Sequence, residues 1–176
     1  MLVVLFGDIA SLHGRKQTQS MTAILVRGAT SDVRSLAWVN IYIGISSTQE
    51  QSALALVIYD EDGLKVRDYV IDLDKPVNNT ELEMIALIEG LEYALDDDEI
   101  VMRSDFCVRG FNEWLDNWKR KGWRKADNKP VAYRDYWQIV EKLRSAKYIK
   151  VRRAERCCPQ IDEAYALAKP THHHKR

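Results

Sequence analysis

The chain has 176 residues, 46% of them hydrophobic, with 26 Lys and Arg against 26 Asp and Glu and a formal net charge of zero. That suits one globular domain with a sizeable core. It excludes a uniformly basic nucleic-acid binder, so any such role must rest on how the charges are arranged.

The apolar opening Met1–Phe6 falls far short of the roughly 20 residues a membrane helix needs, and no longer apolar run follows, so no membrane partner is expected. Residues 1–37 set Arg15, Lys16, Arg27 and Arg34 against Asp8 and Asp32 and are rich in Ser and Thr. They read as an N-terminal extension, either a targeting segment of organelle type or a docking segment, rather than a secretory signal.

Val39–Ile45 and Ala53–Tyr59 are aliphatic, β-branched runs that predict strands, and Asp60-Glu61-Asp62-Gly63 predicts a hairpin turn into a third strand, Lys65–Leu73. From Thr80 to Leu95 the apolar spacing changes to that of a helix, with Asn79 or Thr80 as its cap. Ile100-Val101-Met102 predicts a short buried strand, and Val108–Trp118 a helix. A strand feeding a helix implies a parallel central pairing. Tyr133–Ala146 predicts a further helix, Tyr148–Val151 a strand, and Pro159–Lys169 a last helix, with proline in its first turn. The order is mixed α/β.

The three cysteines make no disulfide scaffold, because Cys157 and Cys158 are adjacent and only Cys107 remains to pair. A reducing, intracellular compartment is expected: cytoplasm, nucleus or mitochondrion. His172, His173 and His174 could grip a metal, but in a tail of residues 170–176 they read as a frayed end.

Residues 38–169 resemble the ribonuclease H type 1 family. The most specific stretch runs from Trp114 through Pro130 to Trp137: Trp114, Trp118, Trp123 and Trp137 stand at family spacing around a lysine- and arginine-rich loop similar to the family's basic handle. Asn79–Leu91, ending Ala86-Leu87-Ile88-Glu89-Gly90-Leu91, is similar to the helix carrying the family's catalytic glutamate, which puts that residue at Glu83. The resemblance implies a ribonuclease H-like α/β fold: a five-stranded mixed sheet flanked by helices, with a basic handle. It also implies cleavage of the RNA strand of RNA–DNA hybrids at two magnesium ions held by four carboxylates. Such ions clamp the attacking water and the leaving oxygen, and hard cations require several oxygen ligands held close together.

This sequence keeps half of that set. Glu83 is present, and Asp162 in Ile161-Asp162-Glu163 matches the aspartate of the last helix. The first-strand aspartate is replaced by Gly44 in Ile41-Tyr42-Ile43-Gly44-Ile45-Ser46. Registering the tryptophans without a gap puts the fourth-strand aspartate at Arg103. A two-residue gap would instead bring in Asp105, on the same strand face about 7 Å further along. The family's mobile histidine falls near Arg152, where no histidine occurs. No metal cofactor is therefore expected, with Mg2+ or Mn2+ required if the chain is active. An Arg103 guanidinium turned into the old site could bond Glu83 and Asp162, supplying the missing positive charge. Restoring aspartate at both 44 and 103 is expected to recover divalent-ion binding.

The handle residues Lys119, Arg120, Lys121, Arg124, Lys125 and Lys129 face one nearby acid, Asp127, and form a candidate phosphate-binding surface. Trp114, Trp118 and Trp123 are either part of that surface or packing residues. Asn78 stands at the family's DNA-phosphate pocket and can donate a hydrogen bond there. The expected function is binding of RNA–DNA hybrid or structured RNA with little or no cleavage. One alternative is an active or slow metal-dependent ribonuclease H. Another is a structural subunit of a ribonucleoprotein, such as an organelle ribosome.

Overall fold

The computed structural model of the chain describes residues 38–170. The extension and the histidine tail, residues 1–37 and 171–176, lie outside the described residues. Three antiparallel strands come first: β1 (Val39–Ser47), β2 (Ser52–Asp60) and β3 (Lys65–Leu73). The β2–β3 turn closes because Asp60 Oδ1 accepts the amides of Asp62 and Leu64 while Gly63 adopts φ +75°, a conformation cheap only for glycine. Helix α1 (Asn79–Tyr93) follows, then β4 (Glu99–Met102), which pairs parallel to β1.

A helical run follows β4 in three parts: α2 (Asp105–Arg109), a π-helical turn (Gly110–Trp114) and α3 (Leu115–Arg120). Helix α4 (Arg134–Ala146), strand β5 (Lys150–Arg153) and helix α5 (Pro159–Ala168) complete the chain. β5 pairs parallel to β4, giving one mixed sheet in the order β3-β2-β1-β4-β5. This is the architecture expected from the sequence.

Strand parity distributes the core. Val39, Ile41 and Ile43 of β1, with Leu54, Leu56 and Ile58 of β2 and Ile100 and Met102 of β4, pack against α1 and α4. Tyr42, Val57 and Val101 face the other way, against Ile161 and Ala164 of α5. Because helices cover both faces, β2 is buried almost throughout rather than alternating. Burying a side chain such as Leu82 or Leu91 completely contributes about 1.5–3 kcal/mol each.

Several boundaries differ from the sequence expectation, each for a local reason. Helix α1 is capped by Asn78, whose Oδ1 accepts the Glu81 amide at 2.9 Å, rather than by Asn79 or Thr80. The second helical run begins at Asp105 instead of Val108, because Ser104 Oγ accepts the Cys107 amide as its cap. β5 starts at Lys150, two residues later than read from Tyr148; the Tyr148 amide donates to Asp96 Oδ1 instead of entering the ladder.

Trp137 of α4 is fully buried and its ring runs beneath Gly110. A Cβ on Gly110 would stand 2.1 Å from that ring, so the π-helical turn and α4 meet there in direct backbone-to-ring contact.

Candidate nucleic-acid interface and remnant carboxylate site

Register brings the expected site residues to one end of the sheet. Tyr42 of β1 pairs with Val101 of β4, and Gly44 and Arg103 each lie two residues further on in the same direction, hence on the α5 face with Tyr42 and Val101. Asp162, in the first turn of α5, reaches the same place: its Oδ1 accepts Arg103 Nη2 at 2.5 Å. The Arg103 guanidinium also lies over the Tyr165 ring, 4.7 Å from its centroid, a cation–π arrangement. Glu83 is held differently from the expected arginine bond. Ser104 Oγ donates to Glu83 Oε2 at 2.5 Å, so a neutral hydroxyl meets that carboxylate while the cation goes to Asp162.

Gly44 is more than a missing ligand. A Cβ there would stand 2.2 Å from the Ala164 carbonyl carbon and 2.3 Å from both the Ala164 oxygen and the Tyr165 nitrogen. Helix α5 rests its backbone directly on β1. The helix is fixed in that seat by Glu163, which accepts from Tyr59 Oη at 2.7 Å and from Lys65 Nζ at 2.5 Å. The Lys65 ammonium, then the Tyr59 hydroxyl, hold the Glu163 carboxyl below its ordinary range.

Asp105 does not extend β4, as the two-residue gap would require. The strand ends at Met102, and Asp105 is the first residue of α2, with Oδ1 accepting Arg153 Nη1 at 3.2 Å. Arg152, near the position of the absent histidine, pairs with Glu99 at 2.7 Å. Among the described residues no group of three or more His, Cys, Asp or Glu side chains is placed to hold a metal ion. Where the resemblance places the first- and fourth-strand ligands, at Gly44 and Arg103, these residues offer no carboxylate for a two-magnesium centre: the Ala164 backbone abuts the first, and the second is a guanidinium paired with Asp162.

In the handle, the aromatic residues pack on one another. The Trp118 ring is tilted against Trp137 at 5.3 Å and against Trp114 at 5.5 Å, and Phe106 lies 5.6 Å from Trp137. Trp123 is half-buried against the same core, with φ +62°. The charges are less free than the sequence suggests. Lys119 is ion-paired with Glu141 of α4, a second offsetting acid that lies 22 positions away in sequence. Arg124 donates to the Asn128 carbonyl, and Lys125 lies 3.7 Å from Asp127. Arg120, Lys121 and Lys129 are exposed and have no ion pair among the described residues. Asn78 spends its Oδ1 on the Glu81 amide and on Tyr133 Oη, leaving Nδ2 a long 3.4 Å contact to Glu81.

Comparison with known proteins matches this architecture. The ribonuclease H of Bordetella avium is 37% identical over 70 residues, 39% of this chain and 46% of that protein. That of Solibacter usitatus is 39% identical over 71 residues, 39% of this chain and 48% of that protein. The chain spans about half the length of these curated relatives. Among solved structures, RNase H1 from Halobacterium salinarum superposes with TM-score 0.56 at 21% identity, covering 74% of this chain and 94% of that one. A foamy viral protease-reverse transcriptase in complex with dsDNA superposes with TM-score 0.64 at 18% identity, covering 76% and 91%. The family model for RNase H matches residues 38–154, from the residue before β1 to the residue after β5. With that match across most of its length, the chain belongs to the RNase H family.

Proposed function

We propose that this chain binds RNA–DNA hybrid or structured RNA and cleaves the RNA little or not at all. The observation that carries the reading is the seat of α5 on Gly44: the Ala164 backbone occupies the volume a metal-binding side chain would need. Arg103, ion-paired with Asp162, adds a fixed positive charge where a divalent ion would have to enter. Nucleic acid as the partner is supported by the exposed Arg120, Lys121 and Lys129 of the handle. It is supported further by the likeness to foamy viral protease-reverse transcriptase, solved in complexes with RNA/DNA hybrid and with dsDNA.

The test is a labelled hybrid incubated with the protein across magnesium and manganese concentrations, with Glu83→Gln as control for contaminating nuclease. Binding without cleavage is the expected result. Metal-dependent cleavage that disappears in Glu83→Gln would establish an active ribonuclease and overturn the non-cleaving reading.

A further inference from the structure

β5 ends at Arg153, and the connection to α5 runs through Ala154, Glu155 and Arg156. The Ala154 amide donates to the Met102 carbonyl at 2.9 Å, which fixes the start of this connection beside the end of β4. The result is a cleft of about 550 Å³ lined by Arg103, Arg153, Ala154, Glu155 and Arg156. Asp162 and Asp105, the carboxylates bonded to Arg103 and Arg153, stand outside that lining. The residues of the wall thus include three arginines and one glutamate, with Asp162 and Asp105 paired to two of those arginines from outside it.

Each guanidinium carries five N–H donors in a planar fork. The pairs with Asp162 and Asp105 are each made through one nitrogen, Nη2 of Arg103 and Nη1 of Arg153. Arg156 is exposed and has no ion pair among the described residues. Donors therefore remain on all three side chains. Guanidinium forks match carboxylate and phosphate alike, and phosphate, with several anionic oxygens in a compact tetrahedron, can meet more than one fork at once. The volume lies in the range of sites that hold a small organic ligand, larger than a bare ion requires.

We propose that this cleft is a phosphate site in which Arg103, Arg153 and Arg156 hold a phosphate group of a nucleic-acid strand directly, without a metal ion. The proposal rests on the nucleic-acid reading above and gives the sheet end a binding role separate from the handle. The phosphate is either an internal phosphodiester or a 5′-terminal monoester, and the two share the same recognition chemistry.

The experiment uses the full chain and the variants Arg153→Ala, Arg156→Ala, Arg156→Lys and a handle variant, Arg120→Ala with Lys121→Ala. Inorganic phosphate is titrated while the arginine Nε–H resonances are followed by NMR. Binding of RNA–DNA hybrids, with and without a 5′-phosphate, is measured by fluorescence anisotropy in EDTA over a salt series. Phosphate should shift a small set of arginine resonances, and Arg156→Ala should remove one of them. Each alanine change should weaken hybrid binding about three- to tenfold and reduce the salt slope by about one unit. Arg156→Lys should keep the slope and lose part of the affinity, since it retains charge without the fork. An effect confined to 5′-phosphorylated hybrid assigns the terminal phosphate, and an effect on both hybrids assigns the backbone.

Unchanged affinity and slope in both alanine variants, with weakening in the handle variant, would overturn the cleft and leave the nucleic-acid reading standing. Resonance shifts with phosphate but unaltered hybrid binding would overturn a nucleic-acid strand as the ligand. If the unaltered protein binds no hybrid, the nucleic-acid reading fails and so does the strand as ligand; phosphate shifts at these arginines would then sustain only a site for free phosphate.

Discussion

Gly44 of β1 and Ala164 of α5 meet backbone to backbone, with no room for even a methyl group between them. Gly44→Ala should therefore destabilise the protein by about 3 kcal/mol, since only displacement of the helix can relieve the overlap. For a domain of this size that is a fall in Tm of roughly 10 °C, measurable by calorimetry. Aspartate at both 44 and 103 meets the same overlap, contrary to the sequence expectation that the pair would recover divalent-ion binding. The Gly44→Asp, Arg103→Asp protein should be unstable and show no calorimetric magnesium binding. A Gly44→Ala protein as stable as the unaltered chain would show that α5 is not seated as described.

Ser104 serves two elements at once, capping α2 through the Cys107 amide and donating to Glu83 on α1. Ser104→Ala should cost about 1–2 kcal/mol, the scale of a lost cap with a buried bond, and Ser104→Thr should recover most of it. Urea unfolding midpoints of the three proteins decide the point; equal midpoints for Ser and Ala would dismiss the shared role.

In the handle, position rather than charge alone should determine the effect. Replacing Arg120, Lys121 and Lys129 together by Ala should lower the salt slope of hybrid binding by about three units, near one per neutralised phosphate. Lys119→Ala should instead act mainly on stability, because its ammonium is engaged with Glu141. Anisotropy over a salt series separates the two, and a larger slope change for Lys119→Ala than for the triple change would reverse the assignment.

Stability should depend on pH through Glu163. Its folded-state carboxyl titrates below the ordinary value of 4.5, so the Lys65 and Tyr59 contacts stabilise the fold at pH above that value and are lost as pH falls through the folded-state range. The stability gap between the unaltered protein and Glu163→Gln should consequently be present at neutral pH and close on acidification. Denaturation curves that stay parallel from pH 7 to about pH 3 would refute the linkage.

The sheet and its helices are legible in the sequence because their signals are local. The runs at Val39–Ile45 and Ala53–Tyr59, the turn at Asp60–Gly63 and the change of period after Thr80 each state their own structure, and β3 matches its predicted bounds. What escapes is the non-local pairing. Glu141 reaches Lys119 only because α4 folds back along α3, and Ser104 serves Glu83 only because β4 ends beside α1. Gly44 reads from sequence as an absent ligand, whereas its structural meaning is the presence of Ala164. Asp105 illustrates the same limit in reverse: strand periodicity extends past Met102 on paper, and a one-residue serine cap ends it in the fold.

The ring of Trp137 under Gly110 has a mechanical consequence. The helical run that leads into the basic loop is keyed to α4 at a point where neither partner can slide without a clash, so the two helical segments hold a fixed register. If the chain binds a duplex as proposed, the exposed arginine and lysines would meet it from a helical run held in fixed register against α4. Part of the entropic cost of arranging those charges would then be met at folding, leaving more of each phosphate contact as affinity.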